Sequence, residues 1–155
     1  MPSIPTKCFQ EMDYTDSSLF HFPCGLPGFE RESSFVFISR PDTHPLLFMQ
    51  SVLTPDLCFV LLPVLAVDPR YQLLLEEEAL ADLQLPPTRQ PKIGEDILCA
   101  VIVCARGNQE APTANLLAPI VVNLRNRIGA QVIQTQSGYS HRHPLVPQQE
   151  LAPCS

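Results

Sequence analysis

Two groups of side chains in this 155-residue sequence could do chemistry. Cys24 lies in the run Phe22-Pro23-Cys24-Gly25-Leu26-Pro27-Gly28, and His141 and His143 flank Arg142. A cysteine paired with an imidazole base is the apparatus of a thiol hydrolase. Two imidazoles two residues apart share a face of an extended segment, as in some metal sites. Neither group is complete. Zinc takes three or four protein ligands, and His21 and His44 lie far off in sequence. Cys24 does not open a helix that would stabilise a thiolate, and its neighbouring glycines suit turn geometry. The chain has no GxSxG, no phosphate-binding glycine loop and no HExxH. A small cysteine- or metal-dependent enzyme using Cys24 or His141/His143 therefore stays as the alternative. The leading expectation is a protein with no catalytic residue, no metal and no cofactor.

The other cysteines, at 8, 58, 99, 104 and 154, form no CxxC pair. Cys24, Cys58, Cys99 and Cys104 sit within or beside apolar runs, where a reduced thiol behaves as a small buried hydrophobe. Cys99 and Cys104 are an odd number of residues apart and so face opposite sides of an ideal strand.

The elements that must hold these residues are short. Apolar runs at Leu19–Phe22, Phe35–Ser39, Pro45–Ser51, Leu57–Leu62, Ile97–Ala105, Leu116–Asn123 and Ala130–Thr135 alternate with turn residues. Seventeen prolines against six glycines favour rigid turns between strands over long helices. About seven strands at this spacing predict a mostly β fold, an antiparallel pseudo-barrel or sandwich. Leu57–Leu62 is apolar throughout, which predicts a strand buried on both faces. One segment, Leu73–Leu85, predicts a single short helix of one to three turns, with Glu76–Glu78 early in the run and Pro86-Pro87 ending it. Residues 1–146 are expected to form one domain and 147–155 a flexible tail.

The formal net charge is −6. It is uneven: Asp68–Asp96 holds seven acids and three bases, Ala105–Leu145 four bases and one acid. That balance argues against direct nucleic-acid binding, which needs clustered Lys and Arg. No uninterrupted apolar stretch is long enough to span a membrane, and the N-terminus lacks a secretory pattern, so a cytoplasmic protein is expected.

Two motifs remain. In Thr113–Asn123 (TANLLAPIVVN) a polar start leads into an apolar run broken by Pro119, which predicts an edge strand open to a partner. In Phe22–Glu30 (FPCGLPGFE), Pro23 and Pro27 fix φ, Gly25 and Gly28 permit positive φ, and Phe22 and Phe29 can anchor the ends.

With TKCF near the start, FPCGLPGFE, LLFMQS, PDLCFV, Tyr71 before an acidic segment, TANLLAPIVVN, QVI and YSHRHPL in this order, the chain resembles the flagellar assembly factor family FliW over roughly residues 6 to 145. The resemblance implies a cytoplasmic, non-enzymatic β-barrel protein, expected as a monomer. It implies binding of flagellin before export and of the RNA-binding translational regulator CsrA. Flagellin on the factor leaves CsrA free to repress flagellin translation; once flagellin is exported the factor sequesters CsrA. Phe22, Pro23, Phe29, Gln50, Asn115, Leu116 and Pro119 are the expected partner-binding residues.

Overall fold

In the computed structural model, which describes residues 3–5, 11–13, 19–105, 111–135 and 137–145, the apolar runs between turn residues become strands. β1 (Ser3–Pro5) and β2 (Glu11–Asp13) pair with each other. β3 (Leu19–His21), β4 (Ser34–Ser39), β5 (Leu47–Ser51) and β6 (Cys58–Pro63) form an antiparallel meander. An insertion carrying two short helices, α1 (Val64–Val67) and α2 (Glu77–Asp82), leads to β7 (Ile97–Cys104). β8 (Thr113–Ala114), β9 (Ile120–Asn123), β10 (Ile128–Gln131) and β11 (His143–Pro144) follow.

Strand β7 closes the sheet because it serves three neighbours along its length. Ala100–Ile102 pair with β6, Ile97–Ala100 with β9, and Val103 and Cys104 with β8. β9 pairs with β10, and β10 meets β3 in one parallel pair, Ile128 with His21. Seven strands thus form a mixed barrel, joined between β10 and β3 only at Ile128 and His21. The sheet is antiparallel elsewhere, as the turn spacing predicts. The one parallel junction and the second helix are additions to that expectation.

The period of two along β7 divides the apolar residues between two cores. Leu98, Ala100 and Ile102 turn inward among Phe22, Phe35, Met49, Leu61, Ile120 and Val122. Ile97, Cys99 and Val101 turn outward with Val121, under Val64, Tyr71, Leu75, Leu80, Leu83 and Leu85 of the insertion. β7 is therefore apolar on both faces, as a strand covered on both sides must be. β6, where the same was expected, is fully buried only at Leu61. The insertion lies over β7 and β9 and takes only Leu62 from β6.

Three further expectations change. The one- to three-turn helix expected within Leu73–Leu85 forms over Glu77–Asp82 alone, and Gln72–Glu76 is in neither helix nor strand. Thr113–Asn123 is not an edge: β8 lies between β7 and β11, and β9 between β7 and β10. Pro119 precedes β9: its carbonyl accepts the Val132 N–H at 3.0 Å, but it has no N–H to return, and the paired ladder to β10 starts at Ile120. Last, of the four cysteines expected to be buried, only Cys99 is; Cys58 is half-buried, Cys24 and Cys104 are exposed, and none of the four is in a disulfide. Cys104 ends β7 beyond the covering insertion, and Cys24 occupies a turn.

Burial pushes the Cys99 thiol from 9.0 up to about 12, and burial likewise raises the Tyr71 phenol. Both groups fold in the neutral form. The stability they contribute is whole below their unfolded pKa and lost as pH rises towards the folded value. Stability should therefore fall above about pH 9 by roughly 1 kcal/mol per pH unit, and Cys99→Ala should flatten that slope. Urea unfolding of both proteins between about pH 8 and pH 11 checks it.

Candidate interaction surfaces

At one end of the barrel the segment from Phe22 to Ser33 folds back on itself. Phe22 N–H donates to Ser33 O, and Leu26 and Phe29 exchange backbone bonds at 3.2 and 2.7 Å. Pro27 and Gly28 occupy the corners of that turn, and Gly28, at φ +85°, supplies the left-handed residue a type II turn requires. Phe22 and Leu26 point into the barrel. Phe29 stays 41% exposed, edge-on to Phe59 at 5.5 Å.

Glu32 joins this loop to the β5–β6 connection. Its buried carboxylate accepts the hydroxyls of Ser51 and Thr54, the latter at 2.6 Å. Thr54 N–H donates in turn to Ser51 Oγ at 2.8 Å. The Gln50 amide, fully buried, donates to Ser51 O at 3.0 Å and Pro55 O at 3.1 Å. These bonds fix two loops against each other and leave Pro23, Phe29 and Leu53 facing solvent.

On the flank, Thr113–Pro119 is held by polar bonds. Asn115 Oδ1 accepts the Ala118 N–H at 3.0 Å, closing a side-chain turn. Asn115 N–H reaches Ile102 O and Leu116 N–H reaches Ser140 O. Leu116 O accepts the Tyr71 hydroxyl at 2.7 Å, and the Tyr71 ring stacks on Tyr139 at 4.4 Å.

The stretch after Tyr71 is tethered by side chains. Gln134 accepts the Leu74 N–H at 2.9 Å and donates to Leu74 O at 3.0 Å. Gln90 does the same for Leu75, at 2.9 Å both ways. Tyr139 Oη accepts the Gln72 N–H at 2.9 Å. A groove of about 810 Å³ opens between this stretch with α2 and the outer side of β10.

Of the residues expected to bind a partner, Pro23 and Phe29 are exposed and Asn115 is half-buried. Phe22, Gln50, Leu116 and Pro119 are buried. The structure places Phe22, Pro23, Phe29 and Gln50 on one barrel end and the other three on the β8–β9 connection. His141 is exposed and His143 lies in β11; among the described residues no three His, Cys, Asp or Glu side chains group as metal ligands. Glu32, Gln90 and Gln134 were not singled out by sequence. Gln134 shares the period of Ala130 and Val132, which places it on the covered face, but its partner lies 60 residues away.

The FliW protein family matches residues 3–145. The chain belongs to the FliW family. The flagellar assembly factor FliW of Geobacillus kaustophilus is 36% identical over 145 residues, which cover 94% of this chain and 96% of that protein. That of Syntrophomonas wolfei is 34% identical over 135 residues, 87% of this chain and 83% of that protein. A crystal structure of the flagellar assembly factor FliW superposes with a TM-score of 0.82 at 34% identity, covering 96% of this chain and 99% of that one. The FliW barrel is thus the fold of this chain. No helix among the described residues is long and apolar enough to cross a membrane.

Proposed function

We propose that this FliW-family chain is a cytoplasmic, non-catalytic flagellar assembly factor that binds flagellin and, when flagellin is gone, sequesters CsrA and relieves repression of flagellin translation. The observation that carries this reading is family membership across residues 3–145. The net charge of −6 supports a protein rather than an RNA partner, since carboxylates repel phosphates. Pro23 and Phe29 are the contact residues we favour at the barrel end, because both are exposed there. Phe22 and Gln50 act behind them by fixing the loops, and Asn115, Leu116 and Pro119 fix the adjoining flank. The protein acts as a monomer in this scheme.

Immobilised full-length protein should retain its cognate flagellin and, in a separate binding assay, CsrA. Flagellin should compete CsrA off. Retention of neither partner would overturn the assignment.

A further inference from the structure

We infer that the groove between α2 and β10 is a docking site for an extended segment of a partner protein in which apolar residues alternate with Lys or Arg. The inference deepens the adaptor reading and rests on it. Three features of the groove lead to it.

The first is an unflanked strand edge. β10 touches β3 only through Ile128 and His21, and no other strand flanks its later residues on that side among the described residues. Val132 and Gln134 N–H donate towards the β9 side, to Pro119 O and Leu117 O. Alternation then turns the amides of Gln131 and Ile133 the other way, where an added strand can pair with them.

The second is apolar surface. Leu74 on one wall is 62% exposed and Ile133 on the other 55%. The Gln134 and Gln90 amides already satisfy the backbone of Leu74 and Leu75, so this wall is preformed and does not compete for the strand edge.

The third is charge. Glu76, Glu78 and Asp82 rim the groove and no Lys or Arg lines it. None of the three forms an ion pair among the described residues. A basic segment complements that rim; a phosphate backbone is repelled by it.

The test uses the full-length protein and a short labelled peptide alternating Ile with Lys, with an Ile–Glu peptide as control. By fluorescence anisotropy the Ile–Lys peptide should bind, more weakly as salt rises. Ile133→Arg and the double variant Glu78→Lys/Asp82→Lys should each weaken it at least about tenfold. Hydrogen exchange at Gln131 and Ile133 should slow when the peptide is bound. These positions are exposed or on the rim, so both variants should fold; circular dichroism confirms that they do. No binding, equal binding by the variants, equal binding of the Ile–Glu peptide, or dimerisation lost in Ile133→Arg would each overturn the inference. If flagellin or CsrA is retained equally by the wild type and both variants, the adaptor reading stands and the groove assignment falls. If the Ile–Lys peptide binds as described but neither protein is retained, the groove assignment stands and the named partners fall.

Discussion

Gly25→Ala should cost about 3 kcal/mol or more of stability, whereas Gly28→Ala, three residues on, should cost only about 1 kcal/mol. Both glycines have positive φ, +65° and +85°, so both substitutions carry the left-handed penalty of an L residue. They differ in what a Cβ would meet. At Gly25 it would lie 2.5 Å from Phe29 O and 2.6 Å from Glu30 O, both backbone atoms that no rotamer change can move. At Gly28 nothing lies within 4 Å. Relief at Gly25 requires the chain to part where Leu26 and Phe29 exchange hydrogen bonds. That movement withdraws Glu32 from Ser51 and Thr54 and exposes a buried carboxylate's partners on a neighbouring loop. Urea unfolding of the two variants gives the comparison. Equal costs would mean that the loop gives way freely and is not the rigid connector described above. The Gly28 variant is also the proper control for partner binding, since it alters the same loop without the backbone overlap.

How much of this was legible in the sequence follows from the range over which each feature is determined. The turn chemistry of Phe22–Glu30 is local: proline φ and glycine φ specify it within nine residues, and the turns form as read, but of the two expected anchors only Phe22 is buried and Phe29 stays exposed. The barrel strands were legible for a similar reason, because period and turn spacing are written along each strand. Pairing is different. Thr113–Asn123 reads locally as an edge strand because of Pro119, but β7 and β10 flank β9 through contacts that no local pattern encodes. The start of the short helix within Leu73–Leu85 is set in the same way. Gln72–Glu76 has helix-forming residues yet lies outside the helix, because Gln134, Gln90 and Tyr139 bond its backbone from distant points of the chain. Tertiary partners outweigh a propensity of a few tenths of a kcal/mol per residue.

The candidate surfaces show the same division. Gln50 and Asn115 were expected as contacts because the family resemblance implied it, but a buried or half-buried polar group is as readily a support as a contact. Gln50 spends its amide on the carbonyls of its own loop, and Asn115 caps a turn. The groove was invisible because its walls, Leu74 and Ile133, are separated by most of the insertion and four further strands, β7 to β10. Each reads alone as an ordinary apolar residue; only closure of the barrel sets them opposite each other.

Closure itself makes the second large prediction. Gly129→Ala should destabilise the protein by about 2–3 kcal/mol although the backbone there is compatible with any L residue. A Cβ at 129 would lie 2.6 Å from Phe22 Cζ and 2.8 Å from Cε2. A ring tip can often swing aside, but this one is fully buried, edge-on to Phe35 at 5.3 Å and surrounded by the interior side chains of the barrel. The movement left open is separation of the two backbones. Gly129 directly follows Ile128, and Phe22 directly follows His21, the only pair joining β10 to β3. The substitution therefore wedges the barrel where the fewest bonds hold it, and exchange of the His21 N–H, bonded to Arg127 O at 2.8 Å, should accelerate. Phe22→Leu removes the ring tip. Alone it should cost about 1–2 kcal/mol, but combined with Gly129→Ala it should recover at least about 1 kcal/mol relative to additivity. Strict additivity in that double-mutant cycle would show that the Phe22–Gly129 contact does not control closure, and the cost at 129 would then have to arise within β10 alone.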